Sequence, residues 1–137
     1  MAPFAAMWEG LDIDDRLDLG LLDRQGAAQE RRERRELRRS LVEFLRGKGL
    51  LARTRAAPSG HDVMGAAQRY LARSEARTML VNLEDLWDET RRQNAPGTET
   101  ERPNWVRKAK PPLERFREMR AVVGTLQEID RSRKASA

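Results

Sequence analysis

Cysteine is absent from the 137 residues, and histidine occurs once, at position 61. The first absence excludes disulfides, thiolate metal sites and a cysteine nucleophile, and it fits a reducing compartment. His61 has no second His or Cys with which to complete a metal site and no serine placed to form a dyad. Its expected role is therefore at the surface or in capping, at a loop–helix junction. Aromatics are only 5% of the chain, so the core must be built mainly from Leu, Ala and Val. No run approaches the roughly 18 apolar residues of a membrane span. The opening MAPFAAMWEGLDIDD lacks the basic region and the long apolar core of a secretory leader. These absences point to a cytoplasmic protein with no membrane partner, no metal and no cofactor.

What is present is charge. The 36% of charged residues sum to +5, and a basic balance raises the question of nucleic acid. Here arginine alternates with glutamate and aspartate, as on a solvated helix face, and no array of stacking aromatics accompanies it. A nucleic-acid partner is not expected.

The length fits one domain. Residues 1–22 hold short helices: Phe4, Met7, Trp8 and Leu11 share one helical face, Gly10 interrupts, and Asp12 is placed to cap a second helix ending near Gly20. The cluster Asp12, Asp14, Asp15 lacks the glycine and distal glutamate of a calcium loop, so first-turn acids are the better reading. Residues 23–49 predict one long charged helix capped by Asp23. Glu30 and Arg34 are spaced for local pairing, the first half is exposed to water, and Leu37, Leu41, Phe44 and Leu45 form a stripe in the second half. A loop follows, then a helix over 61–74 begun by Ser59 or Asp62.

Residues 77–83 contain TMLVNL, a continuous apolar run that predicts a short strand buried on both faces. A lone strand cannot satisfy its own backbone, and the chain offers no second convincing one. Either the run is helical and continues into LEDLW, or its partners lie outside this chain. Residues 84–110 then form a polar loop in which Asn94-Ala95-Pro96-Gly97 is a strong turn signal, because proline presets φ and glycine tolerates a positive one. Residues 111–131 predict a last helix, with a fraying tail after Asp130. By these patterns the fold is mainly α, with one short strand and about four to five helices.

Gln93-Asn94-x-Pro96-Gly97-Thr98, followed by Glu101-x-Pro103-Asn104-Trp105-x-Arg107-Lys108, resembles the C-terminal signature of the 4-α-glucanotransferases, glycoside hydrolase family 77. LVNLEDLW resembles that family's last barrel strand and the loop leaving it. MWEGLDIDDRLDLGLLD and the arginine-rich helix resemble the segment after its catalytic core. Ala95 and Val106 depart from the pattern, standing where a branched aliphatic and an arginine are usual. The resemblance implies the C-terminal part of an incomplete (β/α)8 TIM barrel, since a whole barrel takes roughly 250 residues.

It also implies a retaining transfer of α-1,4-glucan segments between maltooligosaccharides. That chemistry needs two carboxylates about 5–5.5 Å apart, which in the family lie upstream of the part represented here. The chain is then expected to hold no catalytic residue, to be inactive alone and to partner an upstream barrel chain. Asn94, Pro96, Gly97 and Thr98 would line the glucan cleft, or serve turn chemistry alone. Asp85, Asn104 and Trp105 would be structural anchors, Asp85 orienting the following loop and Trp105 either closing the barrel's side or stacking on sugar. Glu84 and Asp85, being adjacent, cannot converge on one bond. The alternative is a non-enzymatic helical interaction module derived from the same family.

Overall fold

The computed structural model describes residues 2–54, 56–96, 98, 100 and 103–135. Among these residues six α-helices and one 3₁₀ turn follow in order: α1 (Phe4–Glu9), α2 (Leu11–Asp18), α3 (Arg24–Gly47), α4 (Gly60–Ala72), the 3₁₀ turn Leu83–Trp87, α5 (Leu113–Phe116) and α6 (Arg120–Lys134). Helix α4 packs against α1, α3 and α6, and α2 packs on α1 and α3.

Local chemistry sets most of these boundaries. Gly10, at φ +87°, ends α1 through its N–H to the Ala6 carbonyl and starts α2 as its N-cap. Asp12 is therefore not the cap. Asp23 caps α3 by accepting the Gly26 N–H at 2.7 Å. The other end of α3 closes in a Schellman motif: Gly49, at φ +70°, bonds the Arg46 carbonyl, and the Leu50 N–H reaches Leu45 at 2.9 Å. Leu45 and Leu50 both enter the core, so the stop signal also fixes which side chains are buried. Ser59 and Asp62 form a reciprocal capping box that starts α4.

The core is a cluster of Trp8, Leu45, Leu50, Val63 and Ala66, with Phe4, Leu41, Val42, Leu51 and Ala67 against it. Trp8 is its largest member. Phe4 stacks on it at 5.7 Å and the Arg38 guanidinium lies 4.4 Å from its ring centroid. Gly60 is required on the remaining side, because a Cβ there would sit 2.7 Å from Trp8 Cδ1. The first residue of α4 is thus small so that the helix can start against an indole.

The N-terminal half of α3 does not project freely into water, as its polar sequence led us to expect. Ion pairs dock it on α2: Asp12–Arg34, Asp14–Arg31 and Arg16–Glu30. Glu30 and Arg34 each pair across the interface rather than with each other. Arg34 engages Asp12 with both terminal nitrogens, at 2.9 and 3.0 Å, and this bond, with smaller contributions from the Asp12 and Glu30 charges, overcomes desolvation to hold its pKa above the ordinary value. The acids of α2 act as ion-pair partners, and no metal cluster exists among the described residues.

No strand forms among the described residues, so the expected strand over 77–83 is corrected. Thr78–Val81 make no hydrogen bonds, Leu80 is 90% exposed, and Leu83–Trp87 close a 3₁₀ turn. The cause is the one that made the run ambiguous: no second strand is available to pair with it. The single helix expected over 111–131 is two helices, divided at Arg117–Met119. The tail expected to fray after Asp130 continues α6 to Lys134, whose ammonium pairs with Asp130 at 2.7 Å. Arg133 reaches back to the Ala76 carbonyl at 2.8 Å.

Burial ranks the α2–α3 pairs. Asp12 and Arg34 are 15% and 17% exposed, whereas Asp14 and Arg31 are 51% and 41%. Asp12→Ala, which leaves a largely buried guanidinium with the Met7 carbonyl but no carboxylate in contact, should cost about 1–3 kcal/mol. Asp14→Ala should cost less than about 1 kcal/mol. Urea unfolding of the two variants checks this order, and equal losses would contradict it.

Candidate functional site

The polar loop after the 3₁₀ turn is closed on itself. Asp88, at φ +53°, ends the turn, and its carboxylate meets His61 Nδ1 at 3.0 Å. His61 thus lies at the surface, at the start of α4. Beyond it the Thr98 N–H bonds the Ala95 carbonyl at 3.1 Å, the closure expected of a turn with Pro96 at its second position. Gly97, the third position, lies outside the described residues. Asn104 braces this turn from the returning limb: its Oδ1 accepts the Ala95 N–H at 2.7 Å and its Nδ2 donates to the Thr98 carbonyl at 3.0 Å. The Trp105 N–H bonds the Gln93 carbonyl at 2.8 Å.

The same loop holds a group whose mutual contacts the sequence did not reveal. The Arg107 guanidinium bridges Glu84 at 2.8 Å and Glu89 at 3.0 Å, and donates to the Arg91 carbonyl at 2.6 Å. Gln93 Nε2 adds a bond to the same Glu84 oxygen at 2.8 Å. Glu89 is buried, and its second oxygen accepts the N–H groups of Thr90 and Arg91. Burial alone would push its carboxyl up. The Arg91 N–H, the Arg107 charge and the Thr90 N–H, with a smaller Lys110 contribution, outweigh it and hold the pKa below the ordinary value. Arg92 anchors the loop to α2 through Asp15 at 3.0 Å. In the sequence Arg107 appears as one position of the family motif, and only the fold shows the carboxylates it binds.

The expected site residues occupy different settings. Asn94 and Thr98 are half-buried, Pro96 is exposed, and Ala95 between them is buried. The smaller Ala95 side chain thus takes an interior position. Asp85 Oδ1 accepts the Phe4 N–H at 2.7 Å, satisfying a free donor at the start of α1. The Trp105 side chain is 72% exposed and its φ is +62°, so only its backbone holds the loop. Glu84 and Asp85 bind different partners, Arg107 and Gln93 for the first and the Phe4 N–H for the second. Among the described residues no helix is long and apolar enough to cross a membrane.

A helical chain carrying a braced polar loop defines a class too broad to name a function. A family model described as 4-alpha-glucanotransferase, glycoside hydrolase family 77, matches residues 1–114. Over 105 residues the chain is 36% identical to proteins named 4-alpha-glucanotransferase from Mycobacterium bovis and Mycobacterium tuberculosis. The match covers 77% of this chain and 14% of each relative, so the chain corresponds to a small part of their length. No solved structure matches. The chain belongs to glycoside hydrolase family 77.

The Glu89 site gives a pH dependence of definite sign. A carboxyl whose folded pKa is depressed contributes stability above its unfolded pKa, and that contribution is lost as pH falls through the folded value. Acidification from neutrality to below about pH 4 should lower the melting temperature of the native chain more than that of Glu89→Gln. Parallel declines in the two proteins would contradict the assignment.

Proposed function

We propose that this chain is a C-terminal segment of a 4-α-glucanotransferase and supplies a cleft-lining loop and barrel closure to an enzyme completed by an upstream barrel. The observation that carries the reading is the family match over residues 1–114, in a chain corresponding to 14% of its relatives' length. The apolar run Thr78–Val81 supports it, since Leu80 is 90% exposed and gains from burial against a partner. In the completed enzyme, Asn94 and Thr98 offer polar groups to the hydroxyls of an α-1,4-glucan. Pro96 shapes the turn that presents them. Asp85 and Asn104 hold this segment in place, and the exposed Trp105 ring packs against the barrel. The reaction is a cytoplasmic, retaining transfer between maltooligosaccharides, and both carboxylates that perform it come from the upstream part.

A second reading, a helical interaction module derived from the family, draws on the intact core around Trp8 and Val63. It requires a chain that melts cooperatively with no partner. A molten chain rescued by co-expression with a family-77 barrel lacking this region favours the first reading.

Incubated alone with maltotriose, the purified chain should release no glucose and form no longer maltodextrins. Either product, detected by chromatography, would overturn the division of labour proposed here.

A further inference from the structure

A cleft of about 320 Å³ opens where α1, the second half of α3 and the segment before α4 meet. The volume lies within the roughly 300–1,000 Å³ usual for small-molecule sites. The lining includes no residue of the 89–107 loop, so the cleft stands apart from the function proposed above. Val42 and Pro58 contribute apolar surface beside Trp8, while Arg38, Arg39 and Arg46 contribute charge.

Arg38 is the informative residue. Its half-buried side chain is held by Trp8, whose ring centroid lies 4.4 Å from the guanidinium carbon. That contact fixes the group in place, yet none of its N–H donors bonds a described acceptor. Arg39 beside it is exposed and likewise bonds no described acceptor. This sets the pair apart within α3, because Arg31 and Arg34, one and two turns earlier, both meet carboxylates. Arg46 builds the facing wall: it donates to the carbonyls of Ala52, Thr54 and Ala56 at 3.2, 3.0 and 3.2 Å. Neutral carbonyls leave its full charge in place.

The charge of the lining selects the ligand. Glu43 is the one described carboxylate there, so three guanidiniums leave an excess of two positive charges. Arg55, next to Ala56 in sequence, lies outside the described residues, and its sign cannot reverse that excess. A cation is repelled, a neutral ligand gains nothing from the charge, and a single carboxylate meets half of it. A phosphate monoester carries about 1.5–2 negative charges at neutral pH and three strong acceptor oxygens, which suit the planar donor forks of arginine. An apolar substituent on that phosphate gains from burial against Val42 and Pro58. We propose that this cleft binds a small phosphate monoester bearing an apolar group, with Arg38 and Arg39 as its anion-recognition residues.

The test is a titration of the isotope-labelled full chain with phenyl phosphate at about 0.15 M salt, followed by NMR. The Trp8 indole N–H and the Ala57 backbone amide should shift saturably, with an affinity at least tenfold above that for inorganic phosphate. Arg38→Gln should weaken binding at least tenfold and Arg39→Gln at least threefold. Arg24→Gln removes the same charge about 21 Å away along α3, beyond the Debye length of about 8 Å, and should change binding less than twofold. If Arg38→Gln, which also loses its contact with Trp8, fails to fold, the exposed Arg39→Gln carries the comparison. The proposal is overturned if phenyl phosphate moves neither signal at tens of millimolar or if inorganic phosphate binds as tightly. It is equally overturned if Arg24→Gln weakens binding as much as Arg39→Gln, since the attraction would then belong to the whole helix.

Discussion

Two adjacent carboxylates on one short turn connect the parts of this molecule. Glu84 faces the loop, where it accepts from Arg107 and Gln93, and Asp85 faces the other way, where it caps the first helix at Phe4. Because neighbouring side chains diverge, one turn can grip both the loop that follows it and the start of α1, 81 residues before Asp85 in sequence. The same divergence prevents this pair from acting on a single glycosidic bond. Their arrangement is structural, and it couples the loop to the core through α1, whose Trp8 lies in the central cluster.

Within the loop the ordering comes from side chains satisfying backbone groups. Asn104 and Glu89 together take three N–H groups, Arg107 takes a carbonyl and two carboxylates, and no sheet or helix is required. A loop held this way keeps its shape before any ligand arrives, which lowers the ordering cost of binding. That property suits a segment that lines a cleft whose reacting groups come from elsewhere.

Features encoded over a few residues were legible in the sequence. The bounds of α3 follow from Asp23 and the glycines at 47 and 49, and the start of α4 follows from Ser59 and Asp62, because each signal acts within one turn. Features that depend on a distant partner were not. The spacing of Glu30 and Arg34 suits a local pair, yet both pair across to α2, where Asp12 and Arg16 are closer to hand. TMLVNL has strand composition, but a strand is a relation between two segments and the second is missing. The pairing of Arg107 was hidden for the same reason, since its carboxylates lie 18 and 23 positions earlier. Family membership was legible because the loop motif is contiguous in sequence.

The Arg107 network holds the loop in its folded shape within the isolated chain. Native-state hydrogen exchange at the Trp105 and Ala95 amides tests it most directly, because these protons bond the Gln93 carbonyl and the Asn104 side chain. The account predicts protection at both amides in the native chain. In Arg107→Ala that protection should vanish while the Leu45 and Val63 amides stay protected. Exchange of Trp105 and Ala95 at the free-peptide rate in the native chain would contradict it.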